Sequence, residues 1–234
     1  MLSGYSFRPR LWAAVLAGAA CAAGIALGNW QSQRADEKRA LGAQLDEEMR
    51  SSPIPLSSRM VAPHEVALKH IVATGTFVPE HTVYLDNKLR RGRPGYEIVT
   101  PLKLDGVHVL VNRGWVAAGR TRGELPQVPT PAGPVRIEGL ALERLPHVLE
   151  ASPTTGAKLR QNIDIESFAQ ETGLRLQPIV IEQRSPAADG LARDWPRPDA
   201  GIEKHEAYSL QWYSLAGLAL ALFIVLSFQR VRPS

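Results

Sequence analysis

Three side chains at the start of the last apolar segment have the types and the spacing of a cofactor site. His205, Tyr208 and Trp212 are separated by three and four residues, so on a helix they lie along one face. Imidazole is a common axial ligand of haem iron, and two aromatic rings on the same face could flank a flat macrocycle. An alternative stays open, because tyrosine and tryptophan are also typical of membrane–water interfaces and a histidine at that depth can simply face water.

A second aromatic and polar group follows the first apolar segment. It contains Trp30 and the neighbouring Asn29 and Gln31. If the two apolar segments pack antiparallel, Trp30 comes level with His205 and Trp212, and the two groups form a polar, aromatic cluster between helices. Helical bundles often bind cofactors in such clusters. An interfacial belt of aromatic residues would explain Trp30 equally well.

The elements that must position these residues are two uncharged segments, 11–28 and 210–228. Each has about the ~20 residues that a helix needs to cross a bilayer. We therefore predict transmembrane helices at 11–29 and 209–228, which make a membrane α-helical hairpin. A cleaved signal peptide is the alternative for the first segment. Gly24 and Gly28 are four residues apart, a spacing that lets two helix backbones approach closely.

The distribution of charge predicts the orientation of this hairpin. Most of the formal net charge of +4 comes from the two ends, where Arg8 and Arg10 precede the first segment and Arg230 and Arg232 follow the second. Positive charge flanking a membrane segment favours the cytoplasm. We expect both termini to be cytoplasmic and the central domain periplasmic. The chain has no long basic run, so we expect no nucleic-acid partner despite the pI of about 9.4.

The polar middle of the chain divides into three parts. Residues 30–50 predict a charged helical stalk, 56–183 a β-rich domain, and 184–204 a linker back to the membrane. Strands are predicted at 66–78, 82–85, 96–104, 107–116, 135–142 and 178–183, with Asp105-Gly106 as a hairpin turn. One helix is predicted at 165–172, between an Asp164 N-cap and Gly173. The fold class is a mainly-β α+β domain, a small antiparallel barrel or sandwich with one helix.

Sequence signatures of enzymes are missing. The chain has no Gly-x-Ser-x-Gly, P-loop, His-Glu-x-x-His or Gly-rich dinucleotide motif. Its single cysteine, Cys21, excludes an internal disulfide and a paired-thiol carrier. We expect a protein that is not an enzyme. A membrane-anchored periplasmic hydrolase stays as an alternative, because acids and histidines distant in sequence can still assemble in space.

Together these residues resemble the Surfeit locus protein 1 family of cytochrome c oxidase assembly factors, over nearly the whole chain. The most specific matching parts lie after the first helix, in the central domain and at the start of the second apolar segment. They are Leu27-Gly28-Asn29-Trp30-Gln31 with Arg34 and Lys38; Gly75-Thr76-Phe77; Arg93-Pro94-Gly95-Tyr96 with Thr100-Pro101-Leu102; Val111-Asn112-Arg113-Gly114-Trp115-Val116; and His205, Tyr208, Gln211, Trp212 and Tyr213.

The resemblance implies a function in building haem–copper oxidase. It implies a protein of the bacterial inner membrane, or of the mitochondrial inner membrane in a eukaryote, that binds haem a and aids its delivery to subunit I. Other oxidase assembly proteins and haem a synthesis proteins would be its partners in the bilayer. His205 matches a histidine tied to haem a binding in some bacterial members. Tyr208, Trp212 and Trp30 are the further cofactor-binding candidates, from their spacing and from antiparallel packing. A scaffold that binds no cofactor is the alternative.

Overall fold

A computed structural model of the chain describes residues 5–119, 125–147, 157–197 and 199–230. They form two compact units, one made of Met1–Gln44 with Pro196–Ser234 and the other of Leu45–Trp195. Two helices, Leu11–Arg50 and Ile202–Ser227, are long and apolar enough to cross a membrane. They build most of the first unit, and the β-rich domain forms the second unit together with the last residues of the first helix, 45–50.

The first long helix, α1, runs without a break from Leu11 to Arg50. It contains both the stretch predicted to cross the membrane and the charged stretch predicted to form a stalk. Ion pairs such as Arg34–Glu37, at 2.6 Å, connect neighbouring turns of the charged part and stabilise the helix slightly. Pro53 lies shortly after the last turn and cannot extend the helix, because proline has no amide hydrogen to donate.

The last long helix is α4, which spans Ile202–Ser227. It starts directly after Gly201 and so takes in the last residues of the stretch that was predicted to be a linker. A short ribbon that the sequence did not predict joins the start of α1 to the end of α4. In this ribbon β1 (Tyr5–Phe7) pairs antiparallel with β10 (Phe228–Arg230), and the rings of Phe7 and Phe228 meet edge to face with their centroids 5.3 Å apart.

The second unit is built on a closed five-stranded barrel. Its strands are β3 (His70–Phe77), β5 (Arg93–Lys103), β6 (His108–Ala117), β7 (Val135–Leu142) and β9 (Leu176–Gln183). Their order is β3-β7-β9-β6-β5, and a short antiparallel pairing of β3 with β5 closes the barrel. Of the two predicted arrangements, the barrel is therefore the one found.

One pair of neighbouring barrel strands differs from the predicted antiparallel arrangement. β6 and β9 run parallel, with Val111 beside Ile181, whereas the other neighbours in the barrel are antiparallel. A parallel pair needs a long connection. Here the chain between the two strands includes β7, the short strand β8 (Leu159–Arg160) and helix α3 (Ile165–Thr172).

Shorter elements extend the barrel at its edges. β2 (Ile54–Leu56) adds in parallel to β3, β4 (Val83–Arg90) pairs antiparallel with β5, and β8 lies beside β4. A single helical turn, α2, occupies Pro63–Val66. The strand predicted to start at residue 66 therefore begins at His70, because α2 and the left-handed Leu68 (φ 59°) precede it.

Two local predictions in this unit are confirmed. Asp105 and Gly106 form the turn between β5 and β6, where Gly106 has a φ of 76° and the amide of Leu104 donates to the carbonyl of Val107 at 2.8 Å. Helix α3 has the predicted bounds: the Asp164 carboxylate accepts from the amide of Ser167 at 2.8 Å, and Gly173 ends the helix in a left-handed conformation.

Alternation along the strands divides the core into two layers. On β6, Val109 and Val111 belong to one hydrophobic cluster with Ile179 and Ile181 of β9. Leu110, which lies between them, belongs to a second cluster. There α3 covers the sheet through Phe168, which is 2% exposed. Successive residues of a strand point to opposite faces of the sheet. Both faces of β6 are therefore apolar, one in each cluster.

Candidate functional site

The two long helices contact each other most closely at two glycines of α1. A Cβ atom on Gly24 would lie 2.9 Å from the Cβ of Ala216 and 2.9 Å from the carbonyl oxygen of Trp212. At Gly28 the added atom would lie 2.5 Å from the ring of Tyr213. Both glycines are buried, and both face α4. The space that their missing side chains leave is filled by α4.

Polar contacts continue along this helix pair. The hydroxyl of Tyr213 donates to Oδ1 of Asn29 at 2.6 Å, and the hydroxyl oxygens of Ser32 and Ser209 lie 2.8 Å apart. Further along, Arg39 pairs with Glu206. Each interhelical hydrogen bond in a membrane contributes about 0.6–2 kcal/mol. The contacts therefore hold α1 and α4 in one register.

His205 belongs to the same series of contacts. Its Nδ1 lies 2.7 Å from Oε1 of Gln31, and the side chain is partly buried. An amide oxygen only accepts hydrogen bonds, so Nδ1 carries the hydrogen and Nε2 of the neutral ring keeps its lone pair. Within the described part of the chain no hydrogen bond reaches Nε2. A histidine held at one nitrogen and open at the other is the usual arrangement of a metal ligand.

Tyr208 and Trp212 follow His205 on α4 at helical spacing. Tyr208 is 53% exposed and Trp212 is partly buried. The continuous helix over Ile202–Ser227 places the three residues along one stripe, as their spacing predicts. The stripe borders the contact with α1, because Gly24 lies against the carbonyl of Trp212.

Trp30 lies elsewhere on α1. It is 52% exposed and follows Gly28 by two residues, which rotates it by about 200° around the helix. Since Gly28 faces α4, the Trp30 side chain leaves α1 on the opposite side. The structure thus brings His205 together with Gln31 rather than with Trp30, and a role for Trp30 in the site stays a prediction.

Sequence reasoning did not single out Gln31 as the partner of His205. A usable signal was present, because Gln31 follows Gly28 by three residues and so shares the face that the glycines define. The type of residue also fits. A side-chain amide can accept from an imidazole without adding a charge to a site near the membrane.

Comparison with known proteins identifies the family. A model of the SURF1 family matches residues 18–217. The chain belongs to the SURF1 family. Mouse Surfeit locus protein 1 is 29% identical over 215 residues, which cover 83% of this chain and 69% of the mouse protein. The SURF1-like protein of Rickettsia bellii (strain RML369-C) is 25% identical over 210 residues, with 85% and 84% covered.

The name of one similar yeast protein refers to the assembly of cytochrome oxidase. Cytochrome oxidase assembly protein SHY1 of Saccharomyces cerevisiae is 28% identical over 95 residues, which cover 39% of this chain and 24% of the yeast protein. Both bacterial and mammalian proteins are thus similar to this SURF1-family chain.

The residues around Trp115 that carried the resemblance have structural roles in this SURF1-family barrel. Trp115 donates from its indole nitrogen to the carbonyl of Lys88 at 2.8 Å, and a Cβ atom on Gly95 would lie 2.4 Å from its ring. Gly114 has a φ of 144°, and a side chain there would meet the carbonyl of Ala192 at 2.8 Å. Glycine is needed at both positions because another segment passes too close for a side chain.

Charged side chains are also buried in the domain. Arg113 is 1% exposed, donates to Asp189 at 3.1 Å and lies over the ring of Phe77. Glu182 is held against Arg184 at 2.6 Å, and burial raises its pKa, with the neighbouring charge of Glu97 adding to the effect. Among the described residues no three histidine, cysteine or acidic side chains are grouped to hold a metal ion. The assignment of His205 as a ligand for iron stays a prediction.

Proposed function

We propose that this SURF1-family protein is a membrane-anchored assembly factor for cytochrome oxidase and not an enzyme. Two findings support the proposal. The family model covers residues 18–217, and one similar protein is named Cytochrome oxidase assembly protein SHY1. Two helices able to span a membrane fit a protein that works beside a membrane-bound oxidase. Its partners would be subunit I of the oxidase and other proteins of oxidase assembly or haem a synthesis.

The proposed cargo is haem a, with His205 as an axial ligand of its iron. The observation that carries this part is the 2.7 Å hydrogen bond from His205 Nδ1 to Gln31, which in a neutral ring makes Nε2 the nitrogen with the lone pair. Neutral imidazole is the form that binds iron. Gln31 thus orients the imidazole of His205 before iron binds. Binding of the iron would need no proton transfer at Nδ1.

The surroundings of His205 favour a haem that enters from lipid. Tyr208 and Trp212 lie on the same stripe of α4, and Tyr208 is half exposed. His205 precedes the uncharged stretch by about five residues, or about 8 Å of helix. That depth corresponds to the membrane interface, where the macrocycle can contact aromatic rings and its propionates can remain in water. Haem released from this site would pass to subunit I.

The proposal includes a location for the protein. With the basic ends cytoplasmic, the central domain and His205 lie on the periplasmic side of a bacterial inner membrane. In a mitochondrion they would lie in the intermembrane space. Fusion of a topology reporter at residue 120 and another after residue 234 should give opposite signals. Equal signals from the two fusions would contradict the hairpin.

The decisive experiment is the absorption spectrum of the full-length protein purified from cells that make haem a. Wild-type protein should show a Soret band, and His205→Ala should abolish or shift it while the amount of membrane-inserted protein stays the same. His64→Ala is the control, because His64 is exposed on the β-rich domain. An unaltered spectrum in His205→Ala would refute the ligand assignment. If the wild type carries no haem yet oxidase levels depend on it, the cofactor-free scaffold is the correct function.

A further inference from the structure

The opposite end of the helix pair contains a cavity that the haem proposal does not use. Here the ribbon of β1 and β10 joins the two helices, and the amide of Arg8 extends it by donating to the carbonyl of Ser227 at 2.8 Å. A cavity of about 400 Å³ lies between α1 and α4 just inside this ribbon. Its volume is in the range of small-molecule sites, which are about 300–1,000 Å³.

The cavity has apolar walls and a basic rim. The walls are formed by Trp12 and Leu16 of α1 and by Phe223 and Leu226 of α4. Trp12 is 61% and Leu226 74% exposed, so these side chains do not fill the space between the helices. Arg8 and Arg10 line the rim. A ligand for this site must therefore be anionic at one end and apolar at the other.

The two rim arginines differ from those farther along α1. Arg34, Arg39 and Arg50 each pair with a carboxylate of the same helix. Arg8 and Arg10 are exposed, and in the described part of the chain neither forms an ion pair with a carboxylate. No carboxylate of residues 5–119, 125–147, 157–197 or 199–230 thus neutralises the positive charge at the mouth of the cavity.

Helix packing explains why the cavity exists. The helices are in contact at Gly24 and Gly28, where an added Cβ atom would lie within 3 Å of α4. Toward the ribbon, Ala17 lies seven residues before Gly24 on the same face of α1, and it lines the cavity. Apolar surface facing an unfilled gap loses its dispersion contacts, so an apolar occupant is favoured.

We propose that this cavity binds one anionic phospholipid from the leaflet at the basic ends of the helices. Its phosphate is held by Arg8 and Arg10, whose guanidinium groups match phosphate oxygens in pairs. The first part of an acyl chain lies against Trp12, Leu16 and Phe223. The walls extend from residue 12 to residue 17, about 10 Å of helix from Arg10, which is the depth of the upper acyl region. Basic sites between membrane helices bind anionic headgroups in this way.

Lipid retention measured by native mass spectrometry of the full-length protein tests the proposal. The detergent-purified protein is titrated with phosphatidylglycerol and, separately, with phosphatidylcholine. We expect one tightly retained phosphatidylglycerol and weaker retention of phosphatidylcholine. Arg8→Gln with Arg10→Gln should lower the affinity for phosphatidylglycerol by about 25-fold, about fivefold for each side chain. Arg34→Gln with Arg50→Gln removes equal charge and should leave retention unchanged.

A second variant and a spectroscopic readout keep the test independent of charge. Ala219→Phe fills the cavity while preserving both arginines, and it should also reduce retention. Phosphatidylglycerol with brominated acyl chains should quench the fluorescence of Trp12, a loss that Trp12→Phe removes. Inorganic phosphate should not displace the lipid because it has no acyl chain. Equal retention of the two lipids, or unchanged retention in both cavity variants, would overturn the proposal. Neither measurement depends on haem or on oxidase assembly.

Discussion

His205 of α4 donates its Nδ1 hydrogen to Oε1 of Gln31 of α1 over 2.7 Å. This hydrogen bond couples the orientation of one imidazole to the packing of two helices. A change in the register of the pair would therefore change which ring nitrogen is available to a metal. The same helices contact at Gly28, three residues before Gln31, so the packing and the proposed site depend on one another.

Replacing Gln31 should weaken the proposed haem site without removing the ligand. Gln31→Leu leaves Nδ1 of His205 without its acceptor, so the ring loses its fixed orientation and its single tautomer. We expect the affinity for haem a to fall by about 10–100-fold, with a shifted Soret band, as for other partners of metal-bound histidines. Gln33→Leu, an exposed neighbour on α1, is the matched control. Equal affinities of Gln31→Leu and wild type would show that the hydrogen bond does not position the histidine.

The contact at Gly28 predicts a position-specific effect on the helix pair. A leucine there must displace the ring of Tyr213, whereas a leucine at Gly18 meets open space. Cysteines placed at Ser32 and Ser209, whose oxygens lie 2.8 Å apart, report the pairing by disulfide formation in a Cys21→Ala background. The cross-link should form in the parent and in Gly18→Leu, and it should be lost in Gly28→Leu. Cross-linking that survives Gly28→Leu would place the helix contact elsewhere.

The buried ion pair in the barrel domain predicts a large loss of stability. Asp189→Ala leaves the guanidinium groups of Arg113, 1% exposed, and Arg193 without the carboxylate that they share. Removing one partner of a buried pair costs about 3–5 kcal/mol. Denaturant unfolding followed by tryptophan fluorescence measures the change. The control is Glu37→Gln, which breaks an exposed pair with Arg34 and should cost less than about 1 kcal/mol.

Glu182 predicts how stability changes with pH. Burial, with Glu97 nearby, raises its pKa in the folded state above the ordinary value, so the folded protein binds the proton more tightly than the unfolded chain does. The contribution of this group therefore favours folding at low pH and is lost as the pH rises through the folded-state pKa. Glu182→Gln removes that dependence. The free energy of unfolding of the variant, minus that of wild type, should therefore increase as the pH rises from 5 to 8.

Unfolding midpoints at the two pH values check this prediction. Glu80→Gln is the control, because Glu80 is exposed and its substitution should shift the midpoints equally or not at all. A midpoint of Glu182→Gln that falls relative to that of wild type as the pH rises would have the opposite sign and would contradict the account.

Local features of the fold were predictable because each depends on residues that are close in sequence. Helix α3 has the predicted bounds, since an N-cap aspartate and a terminal glycine act within one turn. The Asp105-Gly106 turn followed from the left-handed conformation that glycine allows. The two long helices were likewise expected from runs of uncharged residues, and the face of α4 that carries His205 from helical spacing alone.

Contacts between distant residues were decided by the tertiary structure. The closure of the barrel through β3 and β5, the parallel pairing of β6 with β9 and the ribbon of β1 with β10 join strands whose separate sequences encode only their strand character. In the same way, antiparallel packing of the two apolar segments predicted His205 and Trp30 at one level, but the rotation of α1 set by Gly24 and Gly28 brings Gln31 to the histidine. Sequence determined the elements and their polarity, because these arise from local geometry and burial. The tertiary structure decided which faces meet, because that depends on how side chains of separate segments fill shared space.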